Sequence, residues 1–247
     1  YMEKKRANYR NEIIALPKET WKGAVIPLVT RSDSYYDLEI QPLDSSGCTI
    51  SLTRKQAEEE IVHTPEEYDF PDSLYQEHWE NAEAFGIVGE DGDLLACIEV
   101  CPEEWSNRLM VTELWVSDGL RRQGIGKRLM DKAKEIAAGQ NRRAVILETQ
   151  SCNTAAISFY EKEGFELIGF DSCCYSNRDI ARKEVRVNMG YFLEPHADPF
   201  TFERATHADQ EEILTLYRSL AGTEYCAWTQ DYPGEPDIRE DLSRNDL

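Results

Sequence analysis

Residues 121–128 read RRQGIGKR, two glycines among four cations, directly after the apolar run LMVTELWV and the turn SDGL. Glycine lacks a Cβ, so the backbone at Gly124 and Gly126 can approach a ligand closely. The amides of Arg122, Gln123, Gly124, Ile125, Gly126 and Lys127 would open a helix with no carbonyl to pair with. Such amides, together with the positive end of the helix dipole and the side chains of Arg121, Arg122, Lys127 and Arg128, suit a pyrophosphate. The loop is not a Walker loop, which needs Gly-Lys-Ser/Thr, and it lacks the third glycine of a dinucleotide fingerprint. Two carboxylates join it as chemistry-bearing residues: Glu113 in LMVTELWV and Glu148 in AVILETQ. A glutamate within an apolar strand is costly to bury unpaired. Each is therefore either neutralised, with Arg108 or Arg143 as partner, or kept for proton transfer.

The elements that must position these groups follow in a definite order. The apolar run 109–116 reads as a strand, and the helix after the glycines places Ile125, Leu129, Met130, Ala133, Ile136 and Ala137 on one face. AVILETQ is a continuous apolar run, as expected of a central strand beside the first. A helix from Asn153 to Glu163 follows, with Asn153 as its N-cap and Gly164 as its stop.

This order, strand, Arg121-x-x-Gly124-x-Gly126, helix, strand and then Asn153-Thr-Ala-Ala-Ile-Ser-Phe-Tyr160-Glu-Lys-Glu-Gly164-Phe165, resembles the GNAT superfamily of acetyl-CoA-dependent N-acetyltransferases. The resemblance spans residues 85–193 closely and the preceding part loosely. It implies an α/β (α+β) fold with a mixed, mostly antiparallel central sheet and helices on both faces. It also implies that the two central strands splay to admit the pantetheine arm of acetyl-CoA, the co-substrate. The loop 121–127 would anchor the pyrophosphate, and Asn153, Ala156 and Phe159 would line the arm. Tyr160 would face the sulfur and protonate the departing thiolate. A strand amide among Leu114, Trp115 and Val116, where relatives carry a bulge, would meet the oxyanion. For the base, Glu113 and Glu148 both remain open, and a water relay from either would serve.

Within that superfamily, LETQ, N-x-x-A-x-x-F-Y-x-x-x-G-F and GFD followed by a tyrosine are similar to the streptothricin acetyltransferases. These acetylate a basic amine of an antibiotic. The likeness covers only the last half of the domain and implies a substrate side at Asp171 and Tyr175. The reading is thus an N-acetyltransferase acting on a small, cationic primary amine, with antibiotic resistance as one role. A protein or peptide amine is the alternative acceptor. A non-catalytic acyl-CoA-binding module is the alternative of a different class, though it would not need Tyr160 and both glutamates.

Elsewhere, residues 1–30 read as an irregular leader with a short strand, and YYDLEI with CTISL as a hairpin. From Thr53 to Ala84 the chain is polar and helix-prone, broken by Pro65 and Pro71, which predicts two or three short helices bearing Tyr68, Phe70, Tyr75 and Trp79. FGIVG and LLACIEV form a hairpin about Asp91-Gly92, and FELIGF and EVRVNMGYF are the last strands. Residues 1–195 make the catalytic domain. Residues 196–247 resemble the opening of a second such domain: a short strand FTFERA, then a helix capped by Thr206 with an apolar stripe at Ile213, Leu214, Leu216, Tyr217 and Leu220. This helical appendage must bury its stripe on the main domain or on a second chain, which leaves a homodimer among the open assemblies.

A net charge of −20 argues against nucleic acid and suits a cationic substrate. With 41% hydrophobic and 30% charged residues, and apolar runs too short to span a bilayer, no membrane partner is expected. The start YMEKKRANYR lacks the apolar core of a signal peptide, which makes a cytoplasmic location the expectation. The seven cysteines show no Cys-x-x-Cys and no histidine at ligand spacing, so reduced thiols and no metal are expected.

Overall fold

The computed structural model describes residues 12–41, 47–67, 71–193, 204–221, 229 and 232–244. The chain divides into two compact units, Tyr1–Pro195 and His196–Leu247. In the first, the elements are β1 (Ile14–Ala15), α1 (Lys18–Trp21), β2 (Thr30–Ile40), β3 (Ile50–His63), β4 (Glu83–Val88), β5 (Leu94–Glu103) and β6 (Arg108–Val116). They continue with α2 (Ile125–Gly139), β7 (Ala144–Gln150), α3 (Thr154–Lys162), β8 (Glu166–Asp171), α4 (Asp179–Arg182) and β9 (Arg186–Phe192). Seven strands form one mixed sheet in the order β1-β4-β5-β6-β7-β9-β8, and β2 and β3 pair as a second sheet. The β6–β7 pair is parallel and the others are antiparallel, because α2 carries the chain back between those two strands alone.

The amphipathic face read from the sequence is the one that packs. Ile125, Leu129, Met130, Ala133 and Ala137 are buried against Val100, Leu109, Val111, Val145 and Leu147, and the same layer takes in Ile157 and Tyr160 of α3. The opposite face of the sheet carries a smaller cluster of Cys97, Trp115, Leu16, Ile26, Leu74 and Tyr75, with Trp21 of α1 against it.

Among the described residues, the short α-helices expected between Thr53 and Ala84 do not occur. Residues 50–63 form a single strand, followed by one turn of 3-10 helix at Pro65–Glu67. The pairing of β3 with β2 runs from Thr30↔His63 to Ile40↔Ile50. Across it Lys55 reaches Asp37 at 2.5 Å and Glu39 at 3.0 Å. Cross-strand charge pairing and a ladder along the whole hairpin thus outweigh the helix propensity of RKQAEEE. Of the four aromatics expected on those helices, Tyr75 is core and Trp79 packs against Met110 and Ile146. Tyr68 and Phe70 lie outside the described residues.

In the second unit, Thr206 and Asp209 form a reciprocal capping box ahead of α5 (Gln210–Leu220), as the cap residue predicted. Leu216 and Leu220 of α5 are exposed. A further helix, α6 (Glu235–Arg244), buries Ile238 and Leu242. Most of the strand expected at FTFERA falls outside the described residues.

Candidate active site

The centre of the sheet contains an irregularity from which the site follows. On β6, Val111 pairs with Val100 and Glu113 pairs with Glu99, so Thr112 is an extra residue, a β-bulge. Leu109 and Val111 face α2, as do Leu114 and Val116, whereas Met110 and Trp115 lie on the other face. The extra residue shifts the side-chain alternation by one and thereby puts Glu113 on the face away from α2, directly opposite Glu99. The bulge expected at Leu114–Val116 falls just before them. The reason is visible in Thr112, whose hydroxyl donates to Glu99 Oε1 at 2.8 Å.

Past the bulge the sheet opens. Pairing of β6 with β7 runs from Arg108↔Ala144 to Val111↔Leu147 and stops. The Ser117 amide donates to the Leu95 carbonyl of β5 at 2.9 Å. By the alternation of a strand, the amides of Leu114 and Val116 then point the other way, into the gap that β7 leaves. The Val116 carbonyl, on that same side, accepts from Arg121 Nε at 3.0 Å.

At the wide end of the gap lies the glycine loop. Gly124 caps α2 with φ 78°, a conformation that favours glycine, and nothing would obstruct a Cβ there. The first intrahelical bond runs from the Arg128 amide to the Gly124 carbonyl. The amides of Ile125, Gly126 and Lys127 are thus left free to bind an anion. Several side chains of the cradle have protein partners. Arg121 pairs with Asp118 at 3.2 Å, Lys127 with Asp131 at 2.9 Å and Glu163 at 3.4 Å, and Gln123 donates to the Gly119 carbonyl at 2.9 Å. The three amides, by contrast, have no protein partner among the described residues. A Cβ built on Gly126 would sit 3.5 Å from the Phe159 ring, so this residue brings α2 and α3 into contact.

On α3, the Asn153 side chain accepts from the Ala156 amide at 3.2 Å, so it is the helix cap the sequence suggested. Tyr160 is buried, packed against the rings of Phe159 and Phe165 at 5.5 and 6.1 Å. Burial pushes its hydroxyl up to about 12, and the charge of Glu113 adds to the effect.

The two candidate glutamates differ sharply. Glu113 is pushed up to about 9, first by burial and then by the charges of Asp72, Glu99 and Glu148. Neither suggested arginine reaches it: Arg108 pairs with Glu103 at 2.6 Å, and Arg143 donates to the Ser106 carbonyl at 2.8 Å. Glu148 instead pairs with Arg186 at 3.2 Å, which also holds Asp171 at 3.3 Å. Its carboxyl is raised by burial against the opposing pull of Arg186. Asp171 is held low by the amide of Cys173, and Tyr175 is raised by burial and then by Glu148.

The structure therefore gathers Glu113, Glu148, Asp171 and Tyr175 on one side and the cradle with Asn153 and Phe159 on another. Three members escaped the sequence reading: Glu99, Asp72 and Arg186. Glu99 carried the same signal as Glu113, a glutamate inside an apolar run, LLACIEV. Arg186 is made relevant by strand pairing with Gln150 and Asp171, which the local sequence does not announce. No cluster of three or more His, Cys, Asp or Glu suited to a metal ion occurs among the described residues.

A split parallel strand pair, open strand amides and a helix start with free amides together form a cleft in the sheet that presents backbone donors. A model of the acetyltransferase (GNAT) family matches residues 53–165. A streptothricin acetyltransferase of Streptomyces lavendulae is 31% identical over 140 residues, which cover 54% of this chain and 71% of that protein. The chain belongs to the acetyltransferase (GNAT) family and is an acetyl-CoA-dependent N-acetyltransferase. Streptothricin acetyltransferase A of Bacillus subtilis is 33% identical over 79 residues, 32% of this chain and 46% of the relative. Among solved structures, a nourseothricin acetyltransferase shares the fold with a TM-score of 0.57 at 24% identity, over 75% of this chain and 99% of that one. No helix among the described residues is long and apolar enough to cross a membrane.

Proposed function

We propose that this protein acetylates a primary amine of a small cationic substrate, of the streptothricin class, by direct attack with both substrates bound together. The observation that carries the acceptor class is the gathering of Glu113, Glu148 and Asp171 beside the split between β6 and β7, with Glu99 and Asp72 behind Glu113. Arg186 already pairs with Glu148 and Asp171, so the carboxyl left for a cation to complete is Glu113. The names of the relatives from Streptomyces lavendulae and Bacillus subtilis support the same acceptor.

Acetyl-CoA supplies an activated acyl carbon that the amine nitrogen attacks, breaking the bond to sulfur. Glu113 is the base. It has no cationic partner among the described residues, unlike Glu148, and an arriving ammonium group lowers its proton affinity so that it can take the amine proton. Tyr160 gives its proton to the departing thiolate. Its raised value keeps the hydroxyl protonated until a stronger base faces it. The amides of Leu114 and Val116 receive the arm and the developing oxyanion, and those of Ile125 to Lys127 hold the pyrophosphate. Asp171 and Tyr175 form the outer wall of the acceptor site, with Arg186 fixing Asp171 and Glu148.

Thiol release from acetyl-CoA, measured with streptothricin, a polyamine, a peptide with a free N-terminus and a neutral amine, tests the reading. Turnover should be fastest with streptothricin. Faster turnover of the peptide would move the acceptor to protein amines, and acetyl-CoA binding without turnover of any amine would overturn the proposal.

A further inference from the structure

Glu99 is wholly buried, and beyond the charge it sets beside Glu113 no step described above gives it a role. Its two carboxylate oxygens are both engaged, one by β6 and the other by the segment ahead of β4. Oε1 accepts from the Thr112 hydroxyl at 2.8 Å, and Oε2 accepts from the Tyr75 amide at 2.6 Å. Thr112 is the bulge residue, and Tyr75 sits in the left-handed region at φ 59°, with its own hydroxyl bonded to Leu16 and accepting from Ala84 at 3.0 Å. A buried carboxylate satisfied at both oxygens is a directional clamp, because losing either donor leaves a desolvated acceptor.

The clamp holds the one residue that decides where Glu113 points. Were Thr112 to rejoin the regular ladder, the alternation of β6 would revert and Glu113 would turn toward α2. We infer that Glu99 is a positioning residue for acetyl transfer: by fixing the bulge at Thr112 it aims Glu113 into the acceptor site and the amides of Leu114 and Val116 into the gap. It lies directly across the strand pair from Glu113, so its charge also bears on the proton that Glu113 carries. The other titratable groups acting on Glu113 are Asp72 from the segment before Tyr75 and Glu148 from β7, while Cys97 on β5 and Tyr160 on α3 feel the Glu113 charge.

The inference rests on Glu113 being the base, and the test separates the two. In the full chain, the Glu113 carboxyl is followed by 13C NMR as pH is raised, alongside acetyl-CoA binding by calorimetry and thiol release with streptothricin. Glu99→Gln should move the Glu113 titration down by about one pH unit and lower kcat at least tenfold, with the acetyl-CoA Kd changed less than KM for the amine. Thr112→Val should lower kcat in the same way, and Thr112→Ser, which keeps the hydroxyl, should restore most of it. This pair stands even if Glu99→Gln does not fold. An unmoved Glu113 titration in a folded Glu99→Gln protein, or Thr112→Ser no better than Thr112→Val, would overturn the positioning role. Full activity in Glu113→Gln would instead overturn the assignment of the base.

Discussion

Burial and three neighbouring carboxylates let Glu113 keep its proton up to about pH 9, whereas an ordinary glutamate releases it near 4.5. A raised value of this kind contributes stability that is complete below about pH 4.5 and is lost as pH climbs through about 9. The wild type should therefore lose stability relative to Glu113→Gln between pH 6 and pH 9, by no more than about 1.4 kcal/mol for each unit of pH. Urea melts at the two pH values check this, and a constant gap between the proteins would refute it. At Tyr160, substitution by Phe should reduce turnover by about a hundredfold or more while leaving the acetyl-CoA Kd nearly unchanged. An undiminished rate would remove it as the proton donor. Glu113, Glu148 and Tyr160 stand out in the sequence because their surroundings, apolar strand or motif helix, make them conspicuous. The different partners of the two glutamates do not, because strand pairing brings Arg186 to Glu148 across 38 positions of sequence.

At the level of elements, the loop before α2 separates two glycines with different duties. Gly124 has φ 78°, so Gly124→Ala should cost about 1–2 kcal/mol. Gly126 has room for a methyl group at ordinary contact with Phe159. Gly126→Ala should thus change stability by less than about 0.5 kcal/mol yet weaken acetyl-CoA binding, because the added carbon crowds the cradle. Calorimetry and thermal melts on the two variants distinguish strain from crowding. The hairpin of β2 and β3 shows where local reading fails. Its first half was recognisable from the alternation in YYDLEI, but RKQAEEE becomes a strand only because a partner ladder exists. The hairpin is also tied to the site: Ser32 and Ser34 both contact the Thr154 hydroxyl at the start of α3, at 3.0 and 3.1 Å. Thr154→Val should destabilise by only about 0.5–1.5 kcal/mol, because Ser32 still bonds the Ser34 carbonyl and Ser34 still accepts from Arg54.

For the molecule as a whole, a net charge of −20 gives approach to the site a sign. The value of kcat/KM for a cationic amine should fall by about tenfold or more from low salt to 0.5 M, and that for a neutral amine should stay nearly level. Equal salt dependence for both would mean that the charge serves solubility alone. The order of the central strands, the α2 face and the cradle could be read from sequence, since each rests on neighbours a few residues apart. The width of the opening could not, because it depends on Thr112 meeting a glutamate on another strand. That opening has a consequence for the free protein. Among the described residues, the pairing of β6 with β7 that joins β1-β4-β5-β6 to β7-β9-β8 spans four positions from Arg108↔Ala144 to Val111↔Leu147, with one bond more from the Arg143 amide to the Asn107 carbonyl, so the sheet is two leaves on a narrow hinge. The amides of Leu114 and Val116, though central, should exchange with deuterium as quickly as those of an outer edge. Acetyl-CoA, laid along the seam like a missing strand, should slow them and stiffen both leaves into one.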